Sequence, residues 1–214
     1  MLASVATLFC AVAYERRTPT PPMRTAAPAV VANTRRAALL ATCGCCALPW
    51  SMSPADALAK LVAPPSESLE RYDLPRDARR DRGFALGMVT GMADYERAVA
   101  TEKAVLFDKL FAELPRREAV VVELGMGSFP NAPYYAGRST ATKLDLIGGD
   151  PNASMEKFAR RSAEKAELLE SGVVSSLRVV HGVAEALPLP SASADAVICT
   201  LTLCSVVDQE RALA

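Results

Sequence analysis

The chain has 214 residues, half of them hydrophobic and 22% charged, a balance that suits one globular domain plus a leader. Its 24 basic and 24 acidic side chains cancel, so no polyanion-binding surface is indicated and no nucleic-acid partner is expected. With one histidine, His181, a Ser-His-Asp hydrolase is a poor fit.

The charge is unevenly spread. Residues 1–59 carry five arginines against Glu15 and Asp56, a net of +3, which leaves −3 on residues 60–214. A basic, acid-poor head on a mildly acidic body marks a targeting region. Residues 1–13 are apolar and small, like a short signal segment, and residues 14–34 are rich in Thr, Pro, Ala and Arg, as plastid transit peptides are. Arg35-Arg36 before the apolar run 37–50 resembles a twin-arginine export signal, and Ala55-Asp56-Ala57 and Ala57-Leu58-Ala59 offer small-x-small cleavage patterns. A plastid protein is expected, with the thylakoid lumen as one destination. The apolar run is short of the roughly 20 residues of a membrane span; left uncleaved, it would instead tie the chain to a membrane. Cys43, Cys45 and Cys46 lie in that run with no histidine or second cysteine pair nearby, so no metal site is expected. Cys199 and Cys204 read as small core residues.

Residues 60–91, with Pro64, Pro65, Pro75 and many charges, read as an irregular linker holding a short helix at most. From Met92 to Leu114, Tyr95, Val99, Leu106, Leu110 and Leu114 recur at helical spacing, predicting one amphipathic helix ended by Pro115. The unbroken apolar run Ala119–Leu124 predicts a strand buried on both faces. A turn over Gly125–Pro130 and a short helix to about Ala136 follow, then a strand over Leu144–Ile147. A helix is predicted from about Ala153 to Ser171, capped by Asn152 or Ser154 and closed by Gly172, with Met155, Phe158, Ser162, Ala166 and Leu169 as its buried stripe. Strands over Leu177–Val180 and Asp195–Leu201 complete an alternating order that predicts an open, doubly wound α/β sheet. The chain stops soon after the fourth strand, so 92–214 is expected to be the N-terminal part of a longer domain.

The chemistry concentrates at strand ends. Glu123-Leu-Gly125-Met-Gly127 places two glycines where a strand turns towards a helix, and glycine lets a ligand approach the backbone where a Cβ would collide. Asp150, 23 residues after Gly127 and at the end of the second strand, can accept from both hydroxyls of a ribose. Each feature alone has a plainer reading, as a tight turn or as an acid leading a helix; together they favour a nucleoside ligand. Gly182-Val-Ala184-Glu185-Ala-Leu-Pro188 follows the third strand, and Cys199-Thr200-Leu201-Thr202-Leu203-Cys204-Ser205 leaves the fourth.

These motifs, in this order and spacing, resemble those of class I S-adenosylmethionine-dependent methyltransferases with their Rossmann-like sheet and flanking helices. Asp150-Pro151-Asn152 with Glu156-Lys157-Phe158, and Cys199 to Val206 followed by Gln209-Glu210-Arg211, are similar to the methyltransferase-like seven family, which includes alkyl-thiol methyltransferases and plastid relatives. The resemblance covers residues 92–214. It implies S-adenosyl-L-methionine as cofactor and a small-molecule acceptor, with a thiol as one candidate, in a monomer. By it, Gly125 and Gly127 would approach the methionine part of the cofactor with Glu123 bonded nearby. Asp150 would hold the ribose, Ala184 and Glu185 would border the adenine, and Thr200 and Leu201 would line the floor beneath the sulfonium. The helix at 92–114 would act as a lid.

Two positions depart from the family pattern. Phe129 stands where a third glycine is usual, which bears on donor affinity and on whether its ring fills the crevice. Val183 stands where an acid often precedes the Ala-Glu pair, which bears on how the adenine amino group is bonded. No catalytic residue is identified; His181 is at the right strand end for a base, but a histidine with no catalytic role is the simpler reading. Other readings are a quinone or prenyl-lipid C- or O-methyltransferase, a non-catalytic truncated remnant, and a nicotinamide-dependent oxidoreductase. The last wants a glycine or alanine where this chain has Pro130.

Overall fold

The computed structural model describes residues 60–138 and 142–213. The targeting region read over 1–59, with its arginine pair and cysteine cluster, lies outside the described residues. The elements in chain order are α1 (Ser66–Tyr72), α2 (Ala78–Gly91), α3 (Ala93–Ala98), α4 (Ala100–Glu113), β1 (Glu118–Leu124), α5 (Ala132–Ala136), β2 (Lys143–Asp150), α6 (Glu156–Lys165), β3 (Val174–His181), β4 (Ala196–Cys199) and α7 (Gln209–Ala212).

All strands are parallel, in the order β3-β2-β1-β4. The chain steps from β1 outwards to β2 and β3, then crosses to the other side of β1, so the strand order reverses beside β1, between it and β4. In open α/β sheets ligands bind beyond the carboxyl ends of the strands at such a point. The continuous apolar run of β1 follows from its central place: Val121 faces a core with Phe107, Leu110, Phe129, Tyr135, Leu146 and Ala159, and Val120, Val122 and Leu124 face a second with Ile147, Cys199 and Leu203. A buried carboxylate at each end of the sheet is paired. Asp195 meets Arg117 at 2.7 Å and accepts the Val120 N–H at 3.0 Å, and Asp145 on β2 meets Arg178 and Ser176 of the edge strand.

Four expectations are corrected. Residues 60–91 are largely helical: Asp77 accepts from the N–H groups of Arg79 and Arg80 and so caps α2. The helix predicted over 92–114 is two, divided at Val99 (φ −103°, ψ 7°), and Leu114, extended before Pro115, ends the second. The helix predicted to reach Ser171 ends at Lys165. Glu167 adopts φ +50° and the Leu168 N–H bonds back to Ala163, which carries Leu168 into the core and leaves Leu169 in solvent; of the expected stripe Met155 is buried and Ala166 packs against the core, Phe158 and Ser162 are half-buried, and Ala159 and Ala163 are the helix's buried residues. Cys199 is buried as expected, but Cys204 is exposed.

Candidate functional site

A crevice of about 380 Å³ opens at the carboxyl ends of β1, β2 and β4, within the range of small-molecule sites. Its floor begins with the glycine turn. Gly125 (φ +60°) and Gly127 (φ +58°) both take the left-handed conformation that favours glycine. A Cβ on Gly125 would come within 2.3 Å of Thr202 Oγ1, whereas one on Gly127 would meet only the Gly125 carbonyl at 3.8 Å and otherwise occupy open space. Gly125 is therefore bare to admit Thr202, and Gly127 is bare towards the crevice.

Asp150 closes the turn from the neighbouring strand. One of its carboxylate oxygens accepts the Gly127 N–H at 2.9 Å and the other the Asn152 N–H at 2.8 Å. Burial pushes its pKa up, opposed by these two backbone donors and by the Arg76 guanidinium nearby. Each oxygen keeps lone-pair capacity for a further donor.

Of the residues singled out in the sequence, Gly125, Gly127, Asp150, Ala184, Glu185, Thr200 and Leu201 all line this one crevice. Leu201 does so from a left-handed conformation (φ +58°). Glu123 is not among the lining residues; it is fully buried beneath the turn, where one oxygen accepts from Asn131 Nδ2 and the other from the Tyr135 hydroxyl, both at 2.9 Å. Burial raises its pKa to about 7 against the lowering effect of those two donors. Asn131 Nδ2 also reaches Thr200 Oγ1 at 3.1 Å, so Glu123, through Asn131, ties β1 to the floor beyond β4. Glu185 holds its own neighbourhood together: one carboxylate oxygen accepts the N–H groups of Val207 (2.6 Å) and Asp208 (3.1 Å).

Phe129 does not fill the crevice. Its ring is fully buried in the core on the far side of the turn, 5.8 Å from the Tyr135 ring, while its backbone takes φ +60°. His181 points to Asp73 at 2.9 Å and is not a lining residue.

Sequence reasoning missed the wall opposite the floor. Leu74, Arg76, Phe84 and Met88 come from the stretch read as a linker, and Met92, Glu96 and Lys103 from the helices after it. Phe84, Met88, Met92 and Glu96 recur every four residues, the spacing of one helix face, and that repeat was the available signal. Among the described residues no group of His, Cys, Asp or Glu could hold a metal, and no helix is long and apolar enough to cross a membrane.

A family model described as "Methyltransferase domain" matches residues 122–214. The human protein named thiol S-methyltransferase TMT1A is 37% identical over 123 residues, which are 56% of this chain and 46% of that protein; the match thus spans less than half of that relative. Two solved structures overlap more loosely. A provisionally assigned S-adenosyl-L-methionine-dependent methyltransferase of Methanococcus maripaludis is 14% identical, with a TM-score of 0.46 over 64% of this chain and 55% of its own. A provisionally assigned methyltransferase complexed with the Trm112 activator in Haloferax volcanii is 20% identical, with a TM-score of 0.45 over 65% and 54%.

Proposed function

We infer that this chain, matched over residues 122–214 by a methyltransferase-domain model and 37% identical over 123 residues to a thiol S-methyltransferase, is a class I S-adenosylmethionine-dependent methyltransferase that binds S-adenosyl-L-methionine in the crevice and directs its methyl group to a small-molecule thiol. The observation that carries this reading is the pairing of a turn bare at Gly127 with the Asp150 carboxylate across a 2.9 Å hydrogen bond at adjacent strand tips. The residues fit the cofactor: Gly127 leaves room where a Cβ would project, and Asp150 retains acceptor capacity for a ribose diol.

Bound there, the cofactor supplies a sulfonium methyl group open to in-line attack. The chain supplies position and dryness. Gly127 leaves room for the methionine part, Gly125 lets the turn close against Thr202, and Glu123 braces the turn from beneath through Asn131 and Tyr135. Asp150 holds the ribose. Ala184 and Glu185 border the adenine, Glu185 being fixed by the Val207 and Asp208 N–H groups. Thr200 and Leu201, which line the crevice floor, would hold the sulfonium end. Leu74, Phe84, Met88 and Met92 supply apolar surface on the opposite wall, where the acceptor would lie.

Two things support a thiol. A relative 37% identical is named a thiol S-methyltransferase, and a wall of two methionines, a leucine and a phenyl ring suits a soft, apolar acceptor. A thiol with a pKa of about 8.5 is already partly thiolate near neutral pH, so no strong base is called for and His181 stays with Asp73. The same apolar wall favours a quinol or prenyl-lipid acceptor as the second reading.

Calorimetry with S-adenosylhomocysteine and with NAD tests the cofactor class; heat with NAD alone overturns the reading. Transfer of labelled methyl to an alkyl thiol but not to a quinol supports the thiol, and the reverse selects the second reading. We also propose that residues 1–59 deliver the chain to a plastid as a monomer, which a fluorescent fusion of that region and sedimentation of the mature protein would check.

A further inference from the structure

Three large apolar side chains at the crevice mouth stand in solvent. Leu74 is 56% exposed, Phe84 59% and Val207 66%, and all three line the crevice. A single exposed apolar residue needs no explanation, whereas several gathered on one opening mark a surface that something covers. They come from three separate stretches: the connector between α1 and α2, α2 itself, and the connector before α7.

Each stretch is pinned, so these side chains are held out by their backbone. The Val207 N–H donates to Glu185 Oε1 at 2.6 Å. Beside it, Asp208 accepts from the Tyr72 hydroxyl at 3.2 Å, and that bond joins the Val207 side of the mouth to the Leu74 side. Asp73, next to Leu74, meets His181 at 2.9 Å on the tip of β3. α2 is tied down three residues before Phe84, where the Asp81 carbonyl accepts from Asn152 Nδ2 at 2.9 Å and the Asp81 carboxylate accepts from both Nε and Nη2 of Arg76. Apolar surface on a pinned backbone binds without the ordering cost that a loose segment would carry.

Size decides what covers it. The crevice, at about 380 Å³, stands near the lower end of small-molecule sites. A ligand of the donor's size occupies most of it, which leaves room inside for the acceptor's reacting end only. A compact acceptor would stop there and leave the mouth uncovered. We propose that Leu74, Phe84 and Val207 form an apolar rim that receives an extended hydrocarbon tail on the acceptor, so that the protein selects long-chain acceptors over compact ones. This rests on the methyltransferase reading of the crevice and holds for a thiol or a quinol headgroup. The reacting end enters beside the donor, and the tail lies across the rim, where each methylene leaves water.

The test is a chain-length series on the full-length protein with S-adenosyl-L-methionine: butanethiol, hexanethiol and octanethiol, and quinols carrying the same alkyl tails. KM should fall about two- to fourfold for each methylene added, the fold-change that burial of a CH2 is worth. Val207→Ser and Phe84→Ser, both at exposed positions that the fold tolerates, should flatten that gain while S-adenosylhomocysteine binds as before. A merely structural loss would shift every member of the series alike. A flat series in the wild type, or an undiminished slope in the variants, overturns the rim. So does a different occupant: binding to vesicles of phosphatidylcholine and phosphatidylglycerol, or to a second copy of the protein, that Val207→Ser abolishes while the slope stays put. If neither headgroup is methylated, calorimetry of the matching alkyl methyl sulfides on the protein saturated with S-adenosylhomocysteine reads the same slope. Failure to bind S-adenosylhomocysteine at all would bring down the methyltransferase reading, and the rim with it.

Discussion

The Glu123 carboxylate and the Tyr135 hydroxyl share a 2.9 Å hydrogen bond in a pocket sealed from solvent on every side. The strand run of β1 puts a carboxylate where five of the seven residues are apolar, and the chain answers with two donors from α5 and its leading residue. Burial nevertheless dominates and holds the folded-state pKa near 7, against 4.5 for the free group.

That gap makes a pH prediction with a definite sign. Between pH 4.5 and about 7 the folded chain binds a proton at Glu123 that the unfolded chain has released, so stability falls as pH rises through this window. The full effect is about 3 kcal/mol. Glu123→Gln should remove this slope while keeping the side chain's shape. Urea unfolding of both proteins from pH 4.5 to 8 checks it; parallel profiles would show that burial does not govern this group.

The two glycines of the turn should respond differently to alanine. At Gly125 the methyl group would meet Thr202 Oγ1 at 2.3 Å, and that hydroxyl is held by the Leu124 carbonyl at 3.0 Å. Left-handed strain of about 1–2 kcal/mol then adds to overpacking of about 1–3 kcal/mol. Gly127→Ala carries only the strain in the free protein, because its methyl enters open space. Thermal unfolding should rank Gly125→Ala as the less stable variant. Calorimetry should find that Gly127→Ala, though better folded, has lost at least about tenfold in affinity for S-adenosylhomocysteine. Unchanged affinity would place the ligand elsewhere.

Asp150→Ala should separate binding from folding. It removes the acceptor for the Gly127 and Asn152 N–H groups, both part-buried, at about 1–2 kcal/mol of stability. It also removes the partner of a ribose diol. Affinity for S-adenosylhomocysteine should drop by about a hundredfold or more, while the variant still unfolds cooperatively. A variant that binds as the wild type does would refute the ribose assignment.

Much of the site was legible because it is local. Gly125, Gly127 and Asp150 sit at the ends of apolar runs whose strand character is plain, and parallel strands carry their ends to one edge. Glu185 was legible by position but not by what it holds. Nothing in Ala184-Glu185-Ala186 says that its carboxylate will pin the backbone of Val207 and Asp208, more than twenty residues on. Glu123 was expected beside the ligand and is one layer below it, because Asn131 and Tyr135 follow it in sequence but meet it only through the fold of α5. The wall of Phe84, Met88 and Met92 was hidden by composition. Prolines and charges led 60–91 to read as a linker, whereas Asp77 caps a helix that sets Phe84 and Met88 along the crevice.

Phe129 offers the last prediction. The usual family residue at this point of the turn is glycine, and the backbone here does adopt φ +60°, which an L side chain resists by about 1–2 kcal/mol. On that ground alone, restoring glycine should improve both the turn and the binding of the donor. The ring, however, is wholly enclosed between Tyr135 and the residues beneath β1, on the far side of the turn from the crevice. Truncating a buried phenylalanine costs about 3–5 kcal/mol, more than the strain relieved. Phe129→Gly should therefore destabilise the fold by about 2–3 kcal/mol net and leave affinity for S-adenosylhomocysteine within about twofold, measured below the unfolding transition. A variant that is more stable, or that binds the donor analogue tenfold more tightly, would mean that the ring obstructs the crevice after all and that the left-handed strain outweighs its packing.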